Sequence, residues 1–263
     1  GAASFAYDAN GGNPWHRLGT AVQGRMTIME GLQASNADYQ IVTMPVGILT
    51  GPKRGGHQPM MVVESKRATV RPNPLAGQPI NPDDPKSELH PDWQFLGFVS
   101  DDYKMSQHEQ VLVFAYALLG ADKHTGRAID TIGVLNDGKR FFASLKQPES
   151  IMLNLPNGAI DLIEEYLVIH TRHDGIGSTN VFPSHIRPVC NNTVTAGENR
   201  AKVMFGLSHR HDLDTEFDTL LQEARAAMNG TTVDDEIAKL AETAYADQLT
   251  ALDANVASVR NDM

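Results

Sequence analysis

Imidazole and carboxylate groups recur close together at two places in this chain, His170-x-x-His173-Asp174 and His209-x-His211-Asp212-x-Asp214. Such donors hold zinc, manganese or iron, so His170, His173, Asp174, His209, His211 and Asp214 form the candidate ligand set of a metal-dependent nuclease or other phosphoesterase. The spacing alone does not chelate. On a strand, positions 170 and 173 point to opposite faces, and 209 and 211 share a strand face but not a helix face. The single cysteine, Cys190, offers a nucleophile with His170, His173 and His185 near it in sequence. A single cysteine at the end of an apolar strand is more often simply buried. There is no lysine-bearing phosphate loop, and Gly175-Ile176-Gly177 lacks the third glycine and the strand-loop-helix setting of a dinucleotide site. The adjacent pairs Glu164-Glu165 and Asp101-Asp102 diverge on any regular element. No catalytic residue is assigned and no cofactor is expected.

Binding of single-stranded nucleic acid needs cations that track phosphates and π-faces that stack bases. The candidate contacts are Lys66, Arg67, Lys104, Lys139, Arg140, Arg172 and Arg187, with Lys53-Arg54 at a turn. Lys139-Arg140 precedes Phe141-Phe142, so on a strand each face would carry one cation and one aromatic ring. Against this, Phe141 and Phe142 also read as core, and Arg187 reads equally well as an internal partner of Asp174 or Asp101.

These groups must be positioned by short, mixed elements. Thr27 and Glu30 have capping-box spacing and open a helix through about Ala34. Tyr39 to Thr50 and Met60 to Val70 form a hairpin around Gly51-Pro52-Lys53-Arg54-Gly55-Gly56. Residues 71–92 hold six prolines and form an exposed loop insertion. Trp93 to Val99 is a strand, and a second capping box at Ser106 and Glu109 precedes a helix from Val111 to Leu119, with Gly120 as its C-cap. Ile129 to Asn136 and Lys139 to Lys146 are joined by Asp137-Gly138, a strong hairpin signal. Tyr166 to Thr171 pairs with Thr179 to Val189, and Asn191-Asn192 suits a helix N-cap. Phe217, Leu220, Leu221, Ala224 and Met228 follow helical spacing, and a second helix carries Val233 to Val259.

The expected fold is α+β: an antiparallel sheet built from hairpins with packed helices, in a body over residues 1–211, joined to an acidic helical tail over 212–263. The chain of 263 residues is 41% hydrophobic, enough for a core, and its formal charge is -10. That charge is uneven. Residues 1–211 carry 19 Lys+Arg and 20 Asp+Glu, whereas 212–263 carry 3 and 12, so the body is near neutral and free to present a basic face. No run approaches a membrane span. The first ten residues have no basic or apolar leader and no initiator Met, which reads as a trimmed end. A lone cysteine fits a reducing cytoplasm.

Several segments resemble one family. They are Asn13-Pro14-Trp15-His16-Arg17-Leu18-Gly19, Val99-Ser100-Asp101-Asp102-Tyr103-Lys104, His173-Asp174-Gly175, and Arg187-Pro188-Val189-Cys190-Asn191-Asn192-Thr193-Val194. Together they are similar to the signatures of the phage/plasmid-like family catalogued as domain of unknown function 932, over about residues 13 to 211. Pro188, Val194 and the segment 71–92 depart from its pattern. The resemblance implies a mobile-element origin and a bacterial cytoplasm. The pattern of antiparallel strands with packed helices is also similar to the annealing recombinases of phage, whose rings hold single-stranded DNA. The leading expectation is therefore an ATP-independent, oligomeric protein that binds and anneals single-stranded DNA in recombination, its acidic tail a shield over the basic face or a handle for a protein partner. The rivals are the metal-dependent phosphoesterase and a non-enzymatic phage protein that binds host proteins.

Overall fold

A computed structural model describes residues 3–229 except 13, 15–17, 25, 54, 56–57, 85, 120–127, 155–159 and 201–204. The fold is α+β, as expected, but it divides its strands between two sheets. The larger holds seven strands in the order β10-β9-β8-β7-β6-β1-β2: β1 (Ser4–Asp8), β2 (Thr20–Val22), β6 (Ala128–Leu135), β7 (Arg140–Asn154), β8 (Ile160–Arg172), β9 (Thr179–Ser184) and β10 (Phe205–Leu207). The smaller has the order β3-β4-β5, from β3 (Val42–Leu49), β4 (Met60–Pro72) and β5 (Trp93–Ser100). Every pairing is antiparallel except β1 with β2, which run parallel at one edge.

Local chemistry explains most of the boundaries. Helix α1 (Ile28–Ala34) opens on the Thr27–Glu30 capping box, with both reciprocal hydrogen bonds present. Helix α2 (His108–Leu119) starts one position later than a Ser106 cap would place it, and Ser106 is buried. The Gln107 N–H donates to Gln110 Oε1 at 2.7 Å, while the Gln107 amide also clasps both backbone groups of Ile41. Helix α3 (Asn191–Arg200) likewise begins at Asn191, so Asn191 is its first residue and not its cap. The Thr193 hydroxyl instead accepts from the N–H groups of Val189 and Cys190. Asn136, Asp137 and Gly138 all take positive φ and turn β6 into β7. Beyond Pro72, the proline-rich segment is more than a loop: Asn73 bonds Asp92, Gly77 bonds His90, and Ile80 bonds Glu88 through the backbone, giving a ragged hairpin.

The large sheet is covered on both faces, and this decides the fate of Phe141 and Phe142. Phe141 joins Ile132, Val134 and Ile169 beneath α1, α2 and helix α4 (Phe217–Asn229), whose Leu32, Leu112 and Leu220 pack there. Phe142 faces the other way, with Phe5, Tyr7, Leu135 and Val194 of α3. Both rings are fully buried core. Burying each stabilises the fold by roughly 2–3 kcal/mol. Leu213, Leu220 and Ala224 belong to the same core, so residues 212–229 fold onto the body and the expected boundary at 211 does not separate them from it. The helix expected over 233–259 lies outside the described residues, as do Gly120 and most of the 13–19 segment. No helix among the described residues is long and apolar enough to cross a membrane.

Candidate nucleic-acid interface

The small sheet rests on the body by its inner face. There the Thr69 hydroxyl donates to the His173 carbonyl, and a side chain at Gly97 would overlap the Asp174 backbone. The other face is open. Strict alternation along β5 would send Trp93, Phe95 and Gly97 outward together. A bulge intervenes: Thr69 pairs with Gly97 but Val70 pairs with Phe95, leaving Leu96 as the extra residue. Leu96 and Val99 turn inward and are buried, and Phe98 comes to the outer face with Trp93 and Phe95. The three rings are 42%, 47% and 59% exposed for Trp93, Phe95 and Phe98, and Phe95 and Phe98 lie 4.8 Å apart between centroids. Ala68 pairs with Phe98 and Lys66 with Ser100, so exposed Lys66 shares this face beside Phe98. Three open rings with an adjacent ammonium form a platform on which bases can stack while the cation meets a phosphate.

Of the seven expected cations, Lys66 alone lies on this outer face by register; Arg67 points to the reverse side and is half-buried. Lys104 is exposed beyond the turn that follows β5, and Lys139 is half-buried at the β6–β7 turn. None of these four has an ion-pair partner among the described residues. The other three are engaged. Arg140 is buried and holds Glu198 at 2.9 Å; Arg172 grips Asp174 with two hydrogen bonds of 3.1 and 2.7 Å; Arg187 grips Asp130 with two of 2.7 and 2.9 Å. Arg187 thus has the internal partner that one reading gave it, but that partner is Asp130, not Asp174 or Asp101. It also donates to the carbonyls of Asp8, Gly11 and Gly12, tying the N-terminal segment to the sheet.

The six groups of the metal reading are not brought together. His170 bonds Glu198 under α3. His173 lies on the opposite face with its Nε2 3.1 Å from that of His108, and His209 bridges Thr171 and the Lys104 carbonyl. Asp174 is held by Arg172, His211 by Glu216, and Asp214 accepts from Gln110. Among the described residues no three His, Cys, Asp or Glu side chains group as metal ligands. The Cys190 thiol lies 3.5 Å from the Thr193 hydroxyl.

The histidine pair has a definite proton arrangement. His108 Nδ1 is 2.8 Å from the Ala37 carbonyl, which only accepts, so it carries a proton and leaves Nε2 as acceptor. His173 must then donate from Nε2, and its buried Nδ1 has no partner among the described residues. Burial drives the His108 pKa down to about 4 and holds His173 well below the ordinary histidine value. Both are neutral at pH 7, and His108 stacks flat on Phe141 at 4.2 Å.

Sequence reasoning placed Trp93, Phe95 and Phe98 in a strand but assigned them no role. The signal that could have found them is Gly97 inside an aromatic strand, which marks a bulge or a close backbone approach. The fold and this face define an α+β protein with an open aromatic sheet surface. The chain belongs to the family described as Domain of unknown function (DUF932), whose model matches residues 95–256. That match takes in Phe95 and Phe98 and the 187–194 motif, but not Lys66 or the 13–19 segment. No curated protein and no solved structure matches the chain.

Proposed function

We propose that this protein binds single-stranded nucleic acid on the outer face of its small sheet, without chemistry on the strand, and promotes annealing in mobile-element DNA recombination. The observation that supports the reading is the bulge-aligned row of Trp93, Phe95 and Phe98 with Lys66 beside it. A soluble surface that exposes three large rings along one strand needs a binding reason, because water leaves that apolar area uncompensated. Bases stack on such rings whatever their sequence, and Lys66 meets the backbone. A strand held by one edge of its bases and its phosphates remains open to a complement. In this reading several copies hold one strand, and no nucleotide or metal is consumed.

The test is a titration of labelled single-stranded DNA at several salt concentrations, with and without divalent metal, following annealing and particle size together. Binding that is tightest near about 50 mM salt and weakens on salt addition is expected. Absence of binding there would sink the proposal. Metal-dependent cleavage would replace it with the phosphoesterase.

A further inference from the structure

A cavity of about 530 Å³ lies where the two sheets meet, between the end of β4, the β6–β7 turn and the N-terminal strand. It is lined by Tyr39, Arg71, Asn73, Val134, Asp137 and Gly138, among others, so the carboxylate of Asp137 stands in the same lining as Arg71. Arg71 is only 9% exposed. Its Nε donates to Gln94 Oε1 at 2.9 Å and its guanidinium lies 4.8 Å over the Tyr39 ring, yet among the described residues no carboxylate pairs with it. Arg140, Arg172 and Arg187 each have such a partner. Among the described residues the buried Tyr39 hydroxyl, beside Arg71, also makes no geometrically sound hydrogen bond. A Cβ at Gly138 would stand 2.7 Å from that hydroxyl and 2.9 Å from the Arg71 side chain, so a residue without a side chain keeps the space open.

A buried cation with no carboxylate in ion-pair contact is costly, as is a buried hydroxyl left with poor hydrogen-bond geometry. Both costs are relieved by one kind of occupant. We propose that this cavity binds a small organic oxyanion, a phosphate ester or a carboxylate, with the anionic group on Arg71 and Tyr39 and the remainder in the largely apolar space towards Val134 and Pro74. The volume suits a ligand of that size. The site is separate from the aromatic face: Arg71 belongs to the inner face of β4, where it reaches Gln94, whereas Trp93, Phe95 and Phe98 lie on the outer one.

The experiment uses the full chain, with adenosine 5′-monophosphate, benzoate, inorganic phosphate and neutral adenosine as probes, read by calorimetry and by thermal melting. At up to ~10 mM probe, a Kd near ~1 mM nearly saturates the site. One of the two organic anions is expected to bind and raise Tm, which identifies the anionic group, and neutral adenosine is not. Arg71→Gln is expected to weaken binding about tenfold to a hundredfold. Tyr39→Phe, which keeps the ring and its packing, is expected to weaken it severalfold with Tm unchanged, and it carries the test if Arg71→Gln does not fold. Arg71→Met in the ligand-free protein is expected to leave Tm unchanged or raised. The proposal is overturned if neither organic anion binds, if adenosine binds as well as its monophosphate, or if affinity is the same in Tyr39→Phe. A large fall in Tm for Arg71→Met in a protein that ignores anions overturns it in favour of a structural arginine. Phe98→Ala is expected to leave anion affinity unchanged, so failure here is distinguishable from failure of the nucleic-acid reading.

Discussion

Arg187 and Asp130 form a two-pronged ion pair across the α3 face of the large sheet, with Nε on Oδ2 at 2.7 Å and Nη2 on Oδ1 at 2.9 Å. Asp130 is 4% exposed, and burial pushes its carboxyl above the usual carboxylate range, whereas the hydrogen bonds to it keep Arg187 firmly charged. The two directions pull oppositely on the pair. With both hydrogen bonds in place, ionised Asp130 is the state that fits at neutral pH. Such a pair adds little net stability over an apolar substitute but is costly to break from one side.

Arg187→Ala is therefore expected to cost about 3–5 kcal/mol at pH 7, measured by urea denaturation, because it strands a buried carboxylate. The sign with pH is fixed. A carboxyl whose folded pKa is raised favours folding most below its unfolded value, so the deficit should shrink as pH falls towards 4. A variant that folds at full stability and loses only DNA affinity would show that Arg187 serves the ligand and not the fold.

Glu198 tests the clasp between α3 and the sheet. Its hydrogen bond to His170, their mutual attraction and the charge of Arg140 outweigh burial and hold the carboxyl down to about 2. A depressed carboxyl stabilises above its unfolded pKa, and the gain disappears as pH falls towards the folded one. The expected contribution is on the order of 1–2 kcal/mol after solvent screening is discounted. The stability gap between wild type and Glu198→Gln should be full at pH 6 and narrow between about pH 4.5 and pH 2. A gap independent of pH removes the ion pair from the account.

The His108–His173 pair acts in a higher window. Both are neutral in the fold, with Arg71 adding to the burial that depresses His108 and His209 adding to that on His173. The unfolded chain takes up protons near pH 6.5, whereas folded His108 does so only near pH 4 and folded His173 only well below the ordinary histidine value, so stability should fall as pH drops from 6.5. The slope approaches about 1.4 kcal/mol per pH unit for each histidine. His108→Gln, which can still donate to the Ala37 carbonyl, should lower the proton uptake on unfolding by about one. An unchanged slope would place the titrating groups elsewhere.

How much of this was legible beforehand follows from the range of each signal. The Asp137-Gly138 hairpin and the Thr27–Glu30 cap are written within four residues, and both were read correctly. Strands β1, β2 and β10 are short, and β1 finds its antiparallel partner β6 more than a hundred residues away, so no local pattern announces them. Arg187 announces a charge, but its carboxylate lies 57 residues distant. Alternation alone leaves Phe141 and Phe142 either as core or as rings beside a cation; helices on both sides of the sheet make both core. The outward aromatic row needed the bulge at Leu96, which shifts Phe98 to the side that alternation gives to Gly97.

That row predicts how nucleic-acid affinity divides. Phe95 and Phe98 are open to solvent, so Phe95→Ala and Phe98→Ala should change stability by less than about 1 kcal/mol. Each should cost about 1–3 kcal/mol in single-strand binding by fluorescence anisotropy. Lys66→Ala should instead lower the slope of log affinity against log salt by about one. If Phe95→Ala/Phe98→Ala binds as wild type does, the outer face is not where the strand lies.

The acidic end of the chain gives the last prediction. Removing everything after position 211 would take away Leu213, Leu220 and Ala224, all buried in the main core, and so would unfold the body and report nothing about charge. A cut after Asn229 keeps α4. It deletes residues 230–263, which hold 2 Lys+Arg against 7 Asp+Glu, and so changes the net charge from -10 to -5. Fewer like charges then oppose an approaching phosphate backbone, and the effect is one of long-range repulsion. The truncated chain should bind single-stranded DNA more tightly at low salt. The two affinities should converge as salt rises, because screening removes the difference. A truncation that weakens binding and reduces particle size together would instead make these residues part of the assembly that holds the strand.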